Sequence, residues 1–166
     1  MSTTTETTTT LETTSTTKPD TTLHAYRIET FPENHESMKE CHKIRFDVFH
    51  REQGFPLDPQ IDTYELDAPS QHFLLRLVDG EKPIGTIRGT HRPYPELEPN
   101  AYKLSQLAIL EEHRKTGWGG VLVDALHEWV KDDAKERGIR LGGELVVRLV
   151  SQVRVRGFYE KYGYEP

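Results

Sequence analysis

The chain has 166 residues, the length of one compact domain. Lys and Arg number 21 against 27 Asp and Glu, a formal net charge of −6, so the chain has no general attraction for nucleic acid or an anionic membrane, and any anion site must be local. Its one cysteine, Cys41, excludes an intramolecular disulfide, and no apolar run approaches the roughly 20 residues of a membrane span.

The N-terminus has no apolar signal core and no Arg before Arg27, so a cytoplasmic protein is expected, with a nuclear one as the alternative. Residues 1–22 are mostly threonine with almost nothing apolar to bury; burial cannot offset the entropy of ordering them, which predicts a disordered tail before a domain over 23–166.

The domain should open with a strand over Leu23–Glu29. Pro32, Glu33 and Asn34 then lead into a helix in which Met38, Cys41, Ile44, Arg45 and Val48 recur at helical spacing, with Gly54 as its stop. An acidic loop, Pro56–Ser70, carries Asp58, Asp62, Glu65 and Asp67. Strands are predicted over His72–Val78 and Pro83–Thr90, joined by the turn dipeptide Asp79-Gly80.

After a Pro-rich loop, His91–Ala101, comes a strand over Tyr102–Leu110. A helix follows from about Gly117 to Arg137, with Val121, Leu122, Ala125, Leu126, Trp129 and Val130 on one stripe and Gly138 at its end. The β-branched run Ile139–Val150 reads as another strand, and Gln152–Tyr162 as a last short helix before Gly163. The pattern is mixed α and β, a hairpin followed by a strand–helix–strand unit.

The chemistry concentrates between Leu104 and Gly120, where a strand, a basic turn and close glycines precede an amphipathic helix. Glycine lets an anion approach the backbone, the first helical turn offers N–H groups without internal partners, and Arg114 and Lys115 add positive charge. The physical reading is a phosphate or pyrophosphate site. Lys115-Thr116 precedes Gly117, so this is not a P-loop, and Leu122 stands where a dinucleotide fingerprint needs its third glycine. No metal site is expected: His127-Glu128 is followed by Lys131 where a zinc-protease helix requires a second His. Cys41 reads as a small buried hydrophobe.

Arg114-Lys115-Thr116-Gly117-Trp118-Gly119 resembles the Gln/Arg-x-x-Gly-x-Gly/Ala signature of the GNAT superfamily of N-acetyltransferases. Gly157 to Tyr164 resembles its Phe-Tyr-x-x-x-Gly-Phe/Tyr hallmark, and Arg45 to Phe49 followed by Glu52-Gln53-Gly54 resembles the first-helix region of its small enzymes. The resemblance covers most of Leu23–Pro166 and implies a three-layer α/β fold with a mixed, largely antiparallel sheet flanked by helices.

It further implies acetyl transfer from acetyl-CoA to a primary amine by direct attack in a ternary complex, the alternative being a non-catalytic CoA-binding or regulatory module. By resemblance, the strand backbone at Leu107, Ala108 and Ile109 holds the pantetheine arm and thioester carbonyl. The turn Arg114, Lys115, Thr116, Gly117, Trp118 and Gly119 receives the pyrophosphate, and Tyr159 protonates the departing thiolate. Glu52, Asp58, Glu65, Asp67, His72 and Glu144 all stand as candidates for the base. Many family members continue into one or two more strands; the resemblance implies that these are missing here, leaving the sheet edge beside the Ile139–Val150 strand uncovered and open to homodimer formation.

Overall fold

The computed structural model describes residues 4–10, 24–56, 70–92, 98, 100–139 and 145–166, the first segment as backbone alone. Nearly all of the acidic loop, most of the Pro-rich loop and residues 140–144 lie outside the described residues, and with them Asp58, Glu65, Asp67 and Glu144.

The strands are β1 Thr4–Thr10, β2 Tyr26–Pro32, β3 Ser70–Leu77, β4 Lys82–His91, β5 Tyr102–Ile109 and β6 Val146–Gln152. They form one six-stranded sheet in the order β1-β6-β5-β4-β3-β2, antiparallel throughout except between β5 and β6. The Asp79-Gly80 turn joins β3 to β4 as predicted, with Gly80 at φ 72°. Helix α1 spans Met38–Arg45 and runs on as a π-helical segment, Phe46–Glu52. Helix α2 is Trp118–Glu136, and the short α3 is Arg156–Glu160.

The layers follow from the strand period of two. Phe73 and Leu75 of β3 pack with Ile84, Ile87, Tyr102 and Leu104 against Leu122, Leu126 and Val130 of α2. Leu74, between them in sequence, joins Met38, Cys41 and Ile44 of α1 and Val48 of the π-helical segment on the other face, with Ala108 of β5. Full burial of each such aliphatic side chain contributes roughly 1.5–3 kcal/mol. Truncating Leu122 or Leu126, both fully buried, would cost about 2–5 kcal/mol. Helices on both faces of the sheet make the three-layer α/β fold that the resemblance implies.

Two expectations need correction. The threonine tail is not wholly outside the fold: Thr4–Thr10 pairs antiparallel with Val146–Gln152. Composition counts side chains to bury, whereas this strand is held by a backbone ladder, and β-branched threonine suits extended backbone. The edge beside β6 is therefore covered by the chain's own N-terminal segment rather than left open. The first predicted strand also sits three residues later than expected. Ile28 packs toward α2 and Phe31 toward α1, and Pro32 is tolerated because β2 is an edge strand.

Candidate active site

Strands β5 and β6 pair at only three positions, Tyr102↔Val147, Lys103↔Arg148 and Leu104↔Leu149. Past Leu104 the ladder stops, and β5 carries a bulge. Gln106 takes φ 56°, and the β4–β5 register slips between Thr86 and Arg88. A bulge bends its strand and breaks the regular pairing. Leu107, Ala108 and Ile109 thus lie where β5 has parted from its parallel neighbour, still held on the other side by Thr86↔Ala108 and Gly85↔Ile109. Ala108 is buried, while Leu107 and Ile109 are half-buried.

This parted strand runs directly into the basic turn. A single 3₁₀ turn, Glu111–His113, follows Leu110. Lys115 is left-handed at φ 63°, and the Thr116 hydroxyl donates to the His113 carbonyl at 2.7 Å. Gly117 then caps α2 at φ 92°, a conformation that favours glycine. No side chain caps the helix and its first turn holds no acidic residue. The N–H groups of Trp118, Gly119 and Gly120 therefore have no helical partner and carry the positive end of the dipole. Trp118 itself is buried, edge-on to Tyr26 at 5.2 Å, so only its backbone can serve a ligand. Lys115 is exposed beside the turn.

Arg114 is tied to groups of the protein itself. Its Nε donates to the Ile109 carbonyl at 2.9 Å and its Nη2 to Glu52 Oε2 at 2.6 Å, with Nη1 on the second carboxylate oxygen. It therefore braces the turn against the end of β5. The same hydrogen bonds hold the Glu52 carboxyl below the usual carboxylate range. That partner is 62 residues away in sequence, so no local pattern announces it.

Helix α3 packs over the first turn of α2. A side chain at Gly119 would press on the Phe158 ring at 3.1 Å, and one at Gly120 would overlap the Tyr162 hydroxyl. The third glycine of the run thus has a role that the sequence reading left unassigned. Tyr159, between those two aromatics, is 8% exposed and lies edge-on to Phe158 and Tyr164. Burial pushes its hydroxyl well above the usual phenol value, and it makes no side-chain hydrogen bond among the described residues. Tyr164 behind it bonds His127 Nε2 at 2.8 Å.

Of the base candidates, His72 is fully buried and its ring nitrogens are both engaged. Arg45 can only donate, at 3.0 Å, so Nδ1 is the acceptor and Nε2–H faces Glu33. Desolvation, then Arg45, pushes this histidine down. Glu52 is held by Arg114. Cys41 is buried and accepts a bond from the Thr86 hydroxyl at 3.2 Å, as a small core residue would. Among the described residues no group of three or more potential ligands could hold a metal, and no helix is long and apolar enough to cross a membrane.

A bulged strand thus parts from its parallel neighbour and leads into an uncapped, glycine-led helix within a three-layer α/β domain. The chain matches the Acetyltransferase (GNAT) family over residues 24–164. It belongs to that family and is an acetyltransferase. It is 32% identical over 131 residues to the uncharacterized N-acetyltransferase YjcF of Bacillus subtilis (strain 168), covering 79% of this chain and 80% of that protein. Two solved structures are similar in fold. An acyl-CoA N-acyltransferase from Pseudomonas aeruginosa has a TM-score of 0.61 at 15% identity, over 83% of this chain and 87% of its own. A tandem GNAT protein from the clavulanic acid biosynthesis pathway has a TM-score of 0.68 at 13% identity, over 98% of this chain and 50% of its own.

Proposed function

We propose that the protein moves an acetyl group from acetyl-CoA to a primary amine by direct attack in a ternary complex. The observation that carries this reading is the continuity of the parted strand with the uncapped start of α2: β5 residues without a β6 partner lead directly to a cluster of helix N–H donors. These features fit a thioester joined to a pyrophosphate.

Leu107, Ala108 and Ile109 would hold the pantetheine arm through their main chain. Lys115, Thr116, Gly117, Trp118 and Gly119 would receive the pyrophosphate, largely through peptide N–H groups, and Arg114 would keep the turn in shape. The donor supplies an activated acyl carbon; as the N–C bond forms, the C–S bond breaks, the amine gives up a proton and the sulfur gains one.

Tyr159 is the group assigned to the sulfur. A thiol has a reference pKa of about 8.5, below the roughly 10 of a tyrosine phenol. The burial that raises the Tyr159 hydroxyl keeps it protonated, and a weak acid in that place supports the sulfur chiefly by donating a hydrogen bond as charge builds. A lysine-like amine is neutral in only about 1 molecule in 2,500 at pH 7, so deprotonation of the acceptor also shapes the rate.

The test is an amine panel with acetyl-CoA, read by release of free thiol, beside calorimetric titration with CoA. Thiol release that depends on a primary amine supports the reading. CoA binding without turnover on any amine would return the molecule to a binding module.

A further inference from the structure

The end of the π-helical segment places two consecutive residues on opposite walls of the parted strands. Glu52 holds the β5 wall: its carboxylate takes both terminal nitrogens of Arg114, whose Nε is fixed to the Ile109 carbonyl. Gln53 holds the β6 wall: Gln152 Nε2 donates to Gln53 Oε1 at 3.0 Å. The segment that carries them is stiffened at its exit. The Gln53 N–H bonds the Val48 carbonyl and the Gly54 N–H that of His50, while His50 Nδ1 meets the Phe55 carbonyl at 2.8 Å. Single π-turns of this kind are frequent at functional sites.

The level at which Gln152 stands is what matters. The last β5–β6 pair is Leu104↔Leu149. Gln152, at the end of β6, lies beyond that last pair, so the amide bond ties the π-helical segment to β6 where the two strands have parted.

The two attachments differ in strength. A bidentate, charge-assisted fork tied to a third group is the stronger kind of contact, even after allowance for partial exposure. A single neutral amide bond is the weaker. We propose that Glu52 and Gln53 are positioning residues that set the width of the acyl-CoA groove, Glu52–Arg114 as its fixed side and Gln53–Gln152 as the latch that opens and closes over the donor. This rests on the reading of acetyl-CoA in the groove.

Two variants at one position test it. Gln152→Glu keeps a bridge, because the Gln53 amide can turn its Nε2–H onto the new carboxylate, whereas Gln152→Met keeps the length of the side chain and removes its polar atoms. Acetyl-CoA dissociation is followed by stopped-flow on the full-length protein, with KM and kcat for whichever amine the panel finds, and melts confirm that each variant is folded. Gln152→Met should release acetyl-CoA about 5–10-fold faster than the wild type, the scale of one neutral hydrogen bond, with KM raised more than kcat is lowered, and Gln152→Glu should recover most of that loss. Equal behaviour of the two variants, or no change in either, overturns the latch. Absence of binding by the wild type is a different failure, that of the CoA site itself, and the latch falls with it.

Discussion

Tyr164 and His127 share a hydrogen bond of 2.8 Å between the C-terminal segment and the buried face of α2. Desolvation, then the charge of Lys131, pushes His127 down to about 4, so the ring is neutral at physiological pH. An unfolded histidine takes up its proton near 6.5. Between those two values the unfolded state binds more protons than the folded one, so stability is fully present above about pH 6.5 and is lost as pH falls toward 4. The loss reaches roughly 3 kcal/mol below that. Thermal melts from pH 7 to 4 should show this acid limb. His127→Gln, which cannot titrate, should show a shallower one, and superimposable limbs would remove His127 as its source.

The cradle at the start of α2 depends on backbone shape. Gly117 sits at φ 92°, where a side chain costs roughly 1–2 kcal/mol. Gly117→Ala should therefore lower stability by about that amount, read by thermal melts, and weaken CoA binding by calorimetry where the turn relaxes away from this shape. Gly119→Glu should abolish it by placing a carboxylate at the donors and pressing on Phe158. Unchanged affinity in both folded variants would move the anion site elsewhere.

Tyr159→Phe separates chemistry from packing. The ring retains its contacts with Phe158 and Tyr164, and the hydroxyl has no side-chain partner to strand among the described residues, so the melting temperature should hardly move. Acetyl-CoA affinity should also hold. Single-turnover acetyl transfer should slow by about 10²–10⁴-fold, the usual worth of a positioned proton donor. A normal chemical step would take Tyr159 out of the mechanism.

Removing the N-terminal strand should matter. A chain starting at His24 lacks the Thr4–Thr10 ladder and presents a bare β6 edge. We expect a lower melting temperature than for the full chain and association that grows with concentration, read by light scattering. Identical melts and a monomer at all concentrations would mean that the ladder contributes nothing in solution.

Periodicity and punctuation made much of this fold legible. The stripe from Val121 to Val130 located α2, Asp79-Gly80 located the β3–β4 turn, and the glycines after Lys115 marked where α2 begins. Other features had no local signal. The β5 bulge turns on Gln106, a non-glycine at positive φ, and nothing in its neighbours distinguishes it from a regular strand residue. Arg114 reads in the sequence as a phosphate ligand because it stands beside Lys115 just before the glycines; its bonds within the protein have no such local signal. Its true neighbours, Ile109 and Glu52, come together only when the π-helical segment folds back over β5. The threonine strand was missed because its stabilisation comes from β6 rather than from its own side chains.

A cradle whose donors are peptide N–H groups is hidden from conventional mutagenesis. Replacing Lys115, Thr116 or Trp118 by alanine leaves every main-chain donor of the first α2 turn in place, so a side-chain scan would report a site of little consequence. Exchanging a single backbone amide at Trp118 or Gly119 for an ester, which deletes one N–H and leaves every side chain as it was, is the substitution to which such a site would respond.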